Sequence, residues 1–138
     1  MSTLTKYNDL PTDLDNLSKV IVDCFFQVHK ELGAGYLEKI YEDCLYIEMK
    51  NRGLDVQRQY PVKMKYKGQT IPTEFRLDMV VNNLVIIELK AVDKIHPVHK
   101  AQIYSYLKSS NLPLGFLVNF NVPLVKDGIN RFVSKKTS

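Results

Sequence analysis

The sequence predicts an α/β fold in which helices flank a mixed β-sheet. Before Gly53, hydrophobic residues recur at helical spacing, and from Val56 the pattern changes to alternation with period two. A further helical segment after Pro97 separates these alternating segments from a short, fully apolar run. A strand, a crossover helix and another strand in this order indicate that part of the sheet is parallel.

Two helices are predicted before the first strand. Thr12 or Asp13 is expected to cap the first helix, and Gly33 is expected to end it. The second helix is expected from Leu37 to about Arg52, with Gly53 as its stop. The apolar face of the first helix comprises Leu14, Leu17, Ile21, Cys24, Phe25, Val28 and Leu32. The apolar stripe of the second comprises Leu37, Ile40, Tyr41, Cys44 and Leu45.

Alternation predicts two strands on either side of a Lys67-Gly68 turn. Pro61 cannot donate to a β-ladder, so the first strand is expected at a sheet edge or bulged at that point. One face of the first strand is expected to carry Val56, Arg58, Tyr60, Val62, Met64 and Tyr66. One face of the second is expected to carry Ile71, Thr73, Phe75, Leu77, Met79 and Val81.

The third strand, 84–91, is the most apolar of the three, and its apolar residues also stand at odd positions. If both odd sets face one core, the connection needs an odd number of loop residues or a bulge, so a simple two-residue Asn82-Asn83 turn is excluded. The same register places Asp78, Glu88 and Lys90 together on the opposite face.

The remaining elements are a helix from Pro97 to about Ser110, a strand over 114–120 and a last strand, Ile129–Val133, after a turn at 126–128. We find no repeat or linker, and therefore expect one domain over 1–138, with flexible ends at 1–9 and 134–138.

The composition is that of an ordinary globular protein, with 45% hydrophobic and 25% charged residues among 138. A disordered chain is therefore excluded. No apolar run is long enough for a membrane span and the polar start does not suggest a signal peptide, so we expect a cytoplasmic protein without membrane contact. Cys24 and Cys44 are expected to be buried thiols. The net charge of +4 permits nucleic-acid binding without establishing it.

Asp78, Glu88 and Lys90 are the residues to which chemistry can be assigned. Two carboxylates held close together repel each other unless a cation lies between them, and Mg²⁺ binds through one or two carboxylates. A charged pair on a solvated sheet face would have the same pattern. However, Glu88 and Lys90 interrupt the most hydrophobic strand, where unused charges would cost stability.

The arrangement of Asp78 before Glu88-Leu89-Lys90 resembles the catalytic motif of the PD-(D/E)XK nuclease superfamily, although Leu77 stands in place of the proline. More narrowly, the segment Gly35–Tyr41 resembles the GxxExxY family of that superfamily, a branch predicted to be nuclease-like. The resemblance extends over nearly everything after Val20 and includes Tyr66-Lys67-Gly68, Phe75-Arg76-Leu77-Asp78, Ile87 to Val92, Gln102 to Leu107, Asn119-Phe120-Asn121 and Asp127-Gly128.

The resemblance implies a restriction-endonuclease-like core and metal-dependent hydrolysis of a phosphodiester. Asp78 and Glu88 would ligate Mg²⁺ or Mn²⁺ together with the Leu89 backbone carbonyl. Lys90 would orient or help to deprotonate the attacking water and stabilise developing negative charge. Glu38 would reach the metal from the side or hold a metal-bound water.

Several assignments stay open on the residues alone. Glu48 lies nearer the centre of the predicted apolar stripe than Glu38 and competes for its role. Gln102 and Tyr106 share a helix face and match a Gln-x-x-x-Tyr feature of RecB-like nucleases, which packs beside the active site, but a surface amide and a half-buried core tyrosine fit equally well. Tyr41 is interpreted as a packing residue with a hydrogen-bonded hydroxyl that lies beside the site.

The resemblance implies nucleic acid as the substrate, with DNA favoured over RNA. The alternatives are a non-cleaving nucleic-acid-binding or regulatory module with the same fold, and an enzyme that acts on another phosphate ester. The core leaves no separate element for reading bases, so a homodimer or a partner subunit could supply additional grip. Lys63, Lys65 and Lys67 could follow a phosphate backbone, although lysines also protect edge strands from aggregation.

Overall fold

A computed structural model describes residues 10–134. The predicted flexible ends lie outside the described residues, except for Ser134, which follows the last strand. None of the helices in this range is long and apolar enough to cross a membrane. The elements, in chain order, are α1 (Thr12–Leu32), α2 (Glu38–Asn51), β1 (Val56–Tyr66), β2 (Gln69–Val81), β3 (Val85–Lys90), α3 (Pro97–Ser110), β4 (Leu114–Asn119), a 3₁₀ turn (Val125–Gly128) and β5 (Ile129–Val133).

The five strands form one mixed sheet in the order β1-β2-β3-β4-β5. All neighbours are antiparallel except β3 and β4, which are parallel and joined by α3. This confirms the predicted fold class: three meandering strands, a crossover helix and a further strand. Pro61 lies in β1, an edge strand, where its missing N–H leaves no inner ladder position unpaired.

Two hydrophobic cores lie on opposite faces of the sheet. Helices α1 and α2 cover one face, and α3 covers the other. In β3, Val85, Ile87 and Leu89 face α1 and α2, whereas Ile86 faces α3. A strand buried on both faces cannot be amphipathic, which explains why β3 has the most apolar sequence of the hairpin strands.

The cysteines are both free, but they differ in burial. Cys24 is fully buried in the core beneath α1, and burial raises the pKa of its thiol to about 11. Cys44 is only half-buried, so the prediction of two buried thiols is wrong for this residue.

The bounds of α1 and α3 were predicted more accurately than the N-cap residue of α1. Helix α1 ends at Gly33 as predicted, but Pro11 occupies the N-cap position in place of Thr12 or Asp13. Helix α3 has the predicted bounds.

The predicted stripe of α2 is wrong at its beginning. Leu37 precedes the helix and is 77% exposed, and Ile40 is also exposed. The buried residues of α2 are Tyr41, Glu42, Leu45 and Met49. The helix is therefore rotated about its axis relative to the prediction. Glu42, which lies outside the predicted stripe, is buried, whereas Ile40, which belongs to it, is exposed.

The register of the β2–β3 hairpin confirms the parity argument. Val81 pairs with Val85, so Asn82, Asn83 and Leu84 form a loop of odd length. Asn82 and Asn83 both adopt positive φ angles, 52° and 55°, which asparagine tolerates better than most residues.

The prediction that each of β1 and β2 carries its apolar residues on one face is wrong. Phe75 and Leu77 pack in the core beneath α3, whereas Met79 packs beneath α1 and α2. In β1, likewise, Tyr60 and Val62 pack toward α3 while Val56 packs toward α1 and α2. The change of face falls at one cross-strand position, where Gln59 (φ 51°) lies opposite Asp78. A positive φ breaks the pleat, so side chains beyond it project to the other face.

Asn119, at the end of β4, holds the segment that follows β3. Its side-chain amide donates to the Val92 carbonyl, and its Oδ1 accepts from the backbone N–H groups of Val92 and Asn121. Asn119 therefore fixes the turn at the end of β4. The loop after β3 is thereby tied to β4, next to the residues that end β3.

Gly128 packs its backbone directly against this turn. A Cβ built on Gly128 would overlap the carbonyl oxygen of Asn119, a backbone atom that cannot rotate away. We therefore expect Gly128→Ala to lower the free energy of unfolding by about 1–3 kcal/mol, measured by urea denaturation. Gly115→Ala is the matched control, because its Cβ would meet only side-chain atoms of Ile103 and Leu107, which can move. A loss for Gly128→Ala no larger than for Gly115→Ala would contradict this prediction.

Candidate metal and catalytic site

The strands β2 and β3 separate where Asp78 and Glu88 face each other. Their ladder runs from the Val81–Val85 pair to the Met79–Ile87 pair and does not continue to the next position. There the side chains replace the missing backbone bonds. The Asp78 N–H donates to Glu88 Oε2 at 2.9 Å, and the Leu89 N–H donates to Asp78 Oδ2, also at 2.9 Å. These reciprocal bonds fix both carboxylates beside each other.

Both carboxyls are electrostatically perturbed. Glu88 is only 8% exposed, and burial followed by the charge of Asp78 raises its pKa from 4.5 to about 8. Burial also raises the pKa of Asp78, against the lowering effect of its hydrogen bond from Leu89. Two adjacent acids in a poorly solvated place resist ionisation unless positive charge is supplied.

Lys90 provides some of that charge. It ends β3 two residues after Glu88 and is half-buried. Its ammonium lowers the pKa of Glu38, Asp78 and Glu88, so it lies within electrostatic reach of all three carboxyls. Within residues 10–134 it forms no ion pair shorter than 4 Å with any of them.

Glu38, the first residue of α2, reaches the same site. Partial desolvation raises the pKa of its carboxyl, the charge of Lys90 lowers it, and the charge of Asp78 raises it. The backbone of Ala91 also lowers this pKa, so it lies close to the carboxylate. Glu48, its competitor in the sequence, instead pairs with Arg52 at 3.3 Å, and Arg52 also pairs with Asp23 of α1. The structure therefore brings Glu38, and not Glu48, to the acidic pair.

Glu42 was missed by sequence reasoning. It is 7% exposed, one turn after Glu38, and its charge contributes to the raised pKa of Asp78. Arg58 Nε donates to Glu42 Oε2 at 3.0 Å, and Gln59 Nε2 donates to Oε1 at 3.3 Å. The Gln59 side chain also lowers the pKa of Asp78, so it lies close to both acids. The spacing of Glu42 with Leu45 and Met49, at i, i+3 and i+7, could have indicated its burial.

Tyr106 and Gln102 differ in their relation to the site. Tyr106 is half-buried and stacks on Phe75 with ring centroids 4.6 Å apart. Burial raises the pKa of its hydroxyl, and so do the charges of Glu88 and Asp78, which places Tyr106 on the α3 side of the acidic pair. Gln102 is exposed one turn earlier on α3.

Tyr41 is a packing residue in this structure. It is fully buried and stacks on Phe120 at 4.7 Å. Its hydroxyl donates to the Gly33 carbonyl at 2.6 Å and accepts from the Tyr36 N–H at 3.2 Å. Such a side chain joins the α1–α2 connection to the core and has no surface to offer a substrate.

The donor set suits a hard divalent cation. Among residues 10–134, no three or more His, Cys, Asp and Glu side chains converge as a ready-made metal cage. Mg²⁺, however, usually binds through one or two carboxylates and keeps several waters. Asp78 and Glu88 supply two hard oxygen ligands with raised pKa values, and a cation between them would relieve their repulsion.

A five-stranded mixed sheet with two acids and a lysine at the separation of two central strands defines the class: an α/β protein with a carboxylate–lysine site. A profile of the PD-(D/E)XK nuclease superfamily matches residues 15–132. The chain therefore belongs to the PD-(D/E)XK nuclease superfamily, whose nucleases typically use divalent metals and act on nucleic acid. No curated protein and no solved structure matches the chain.

The positions of Glu38 and Glu48 lead to a direct comparison. We expect Glu38→Gln to lower metal-dependent nucleic-acid cleavage about 10- to 100-fold, because the group beside the acidic pair loses its charge. Glu48→Gln removes the same charge from the same helix and should leave the rate within about twofold of the parent. Initial rates over a range of Mg²⁺ concentrations measure both. An equal loss in the two variants would contradict this placement.

Proposed function

We propose that the protein is a metal-dependent nuclease that hydrolyses phosphodiester bonds, with DNA favoured over RNA and Mg²⁺ or Mn²⁺ as the cofactor. The observation that carries the proposal is the reciprocal bonding of Asp78 and Glu88 where β2 and β3 separate. Membership of the superfamily supports it. We also propose that the chain belongs to the GxxExxY branch, supported by the position of Glu38, the glutamate of that motif, beside the acidic pair.

Asp78 and Glu88 would hold the cation, together with the Leu89 carbonyl. In a strand, the N–H and C=O of one residue point toward the same neighbouring strand. Because the Leu89 N–H donates to Asp78, its carbonyl also points toward the gap between β2 and β3. The three groups that would hold the cation thus come from two adjacent strands. The bound cation would supply Lewis-acid polarisation of a phosphate oxygen.

The other side chains would act on the water and on the phosphate. Hydrolysis adds water across one P–O bond and gives a phosphate monoester and a hydroxyl. Lys90 would donate hydrogen bonds to the attacking water or to the phosphate oxygens, where negative charge develops. Glu38, whose raised pKa makes it a better proton acceptor than an ordinary glutamate, would accept a hydrogen bond from the water. Tyr106 and Gln102, both on α3, would contact the substrate beside the acidic pair.

The test is cleavage of single- and double-stranded DNA and RNA with Mg²⁺, with Mn²⁺ and with EDTA. We expect cleavage that requires the divalent ion and that is lost in Asp78→Asn. Asparagine keeps an oxygen to accept the Leu89 N–H, so this variant removes the charge while preserving the backbone bond. Cleavage that survives in Asp78→Asn would indicate a contaminating nuclease. If the parent binds nucleic acid without cleaving it, the proposed nuclease activity is overturned and a non-cleaving binding module is favoured.

A further inference from the structure

A basic groove lies between the edge strand β1 and helix α3, outside the residues assigned to catalysis. Its volume is about 500 Å³. The residues that line it are Lys63, Met64, Lys65, Ser105, Lys108 and Ser109. Two elements distant in sequence form the groove: β1 contributes the two lysines, and α3 contributes a third lysine and two serines.

The chemistry of the groove suits an anion with many oxygens. Three ammonium groups and two hydroxyls can all donate hydrogen bonds, and no acidic residue of the described chain is among the lining residues. Glu74 lies at the border and pairs with Lys63 at 3.5 Å. Lys63 is exposed and Glu74 is half-buried. A pair with a solvent-exposed lysine contributes little, so a phosphate could readily displace Glu74 from Lys63.

Both walls of the groove belong to elements that also reach the acidic pair. On α3, Ser105 and Ser109 flank Tyr106, whose hydroxyl lies within the electrostatic reach of Glu88. On β1, Gln59 lies opposite Asp78, and Lys63 and Lys65 follow four and six residues later. At roughly 3.3 Å per residue, this distance is about 13–20 Å. A DNA strand carries one charge per roughly 3.4 Å along its axis, so several phosphates would span the distance.

We propose that this groove binds the phosphodiester backbone of the nucleic acid on one side of the bond that is cleaved. The inference rests on the proposed function, because it places the cleaved phosphate at Asp78 and Glu88. Protection of an edge strand would explain Lys63 and Lys65 alone. It does not explain why Lys108 and two serines of α3 line the same groove.

The test compares two variants with the same change in net charge. The groove variant is Lys63→Gln with Lys65→Gln and Lys108→Gln. The control replaces three exposed lysines of α1 and α2, on the other face of the sheet: Lys19→Gln with Lys30→Gln and Lys50→Gln. Binding to a DNA duplex is measured in EDTA at several salt concentrations, so that no cleavage occurs, and circular dichroism verifies that both variants are folded.

We expect the groove variant to lose at least about tenfold in affinity at low salt. Each phosphate contact contributes about 0.9 to the slope of log K against log salt, so the slope should decrease by up to about 2.7. The control should stay within about threefold of the parent. A slope equal to that of the control would overturn the proposal. So would groove-dependent binding of poly-glutamate without binding of DNA, which would indicate an acidic protein partner instead.

A paired substitution tests the border of the groove. Glu74→Gln should strengthen DNA binding, since it frees Lys63 and also Arg76, which pairs with Glu74 at 3.6 Å. Asp15→Asn is its control, because Asp15 pairs with the exposed Lys19 in the same manner on α1, at 3.4 Å. Cleavage is measured separately with Mg²⁺. DNA binding that depends on the groove, without any cleavage, would overturn the proposed nuclease activity and support the proposed groove. Cleavage with DNA binding that does not depend on the groove would support the nuclease activity and overturn the proposed groove.

Discussion

Lys90→Ala is expected to lower the rate of metal-dependent cleavage by about 10²–10⁴-fold, the range for loss of a positioned proton-transfer or charge-stabilising group. The positive charge of Lys90 acts on both acids, since it lowers the pKa of Asp78 and of Glu88. Its ammonium is free to reach a phosphate, because no carboxylate of residues 10–134 pairs with it within 4 Å.

The same variant should still bind the metal. Removing Lys90 takes away a positive charge that would repel the metal ion. At a pH above the raised pKa of Glu88, the rise in Tm on addition of Mg²⁺ or Mn²⁺ should therefore be at least as large as in the parent. Asp78→Asn should lose both cleavage and the rise in Tm. Lys94→Ala, an exposed lysine four residues later, controls for the change in net charge. Full activity in Lys90→Ala would remove Lys90 from the mechanism.

The metal-free protein is expected to become less stable as the pH rises from about 4.5 to about 8. The pKa of Glu88 is raised from 4.5 to about 8 on folding. Between these values the folded state holds more protons than the unfolded state, so the free energy of unfolding falls with increasing pH. Asp78, whose pKa is also raised, contributes in the same direction. Each pKa unit corresponds to about 1.4 kcal/mol, so the total loss amounts to a few kcal/mol.

Urea denaturation in EDTA at pH 5 and pH 8.5 measures this loss, and Glu88→Gln is the control. Glutamine can accept the same bond from the Asp78 N–H but does not titrate, so most of the pH dependence should disappear. Mg²⁺ should restore stability mainly at the higher pH, where both acids would otherwise be charged and unpaired. A parent whose pH dependence equals that of Glu88→Gln would show that Glu88 ionises normally in the folded state.

The sequence was sufficient for the order of the elements and for the register at the site. Apolar alternation and an odd loop length put Asp78 opposite Glu88, and the Asn82–Leu84 loop has that length. Helix α3 begins at Pro97 as predicted, and Asn111 follows its last residue in the left-handed conformation. Patterns of this kind are local, and local conformational preferences decide them.

The features that could not be predicted arise where those local patterns are interrupted or where residues from different elements meet. Alternation assumes an unbroken pleat, and nothing in the residue type of Gln59 predicts its positive φ. Consequently the change of face in β1 and β2, and the contact of Gln59 with Asp78, were not foreseen. The burial of Glu42 was missed because its cost is offset by Arg58, which comes from another element.

The exchange of hydrogen bonds between Asp78 and Glu88 has an evolutionary consequence. Each acid also completes the backbone where two strands part, so a mutation to alanine at either position would leave a peptide N–H without its acceptor. A descendant that abandoned catalysis would conserve its fold most easily with asparagine at 78 and glutamine at 88. Inactive homologues should therefore be recognised by amides at these positions rather than by small apolar residues.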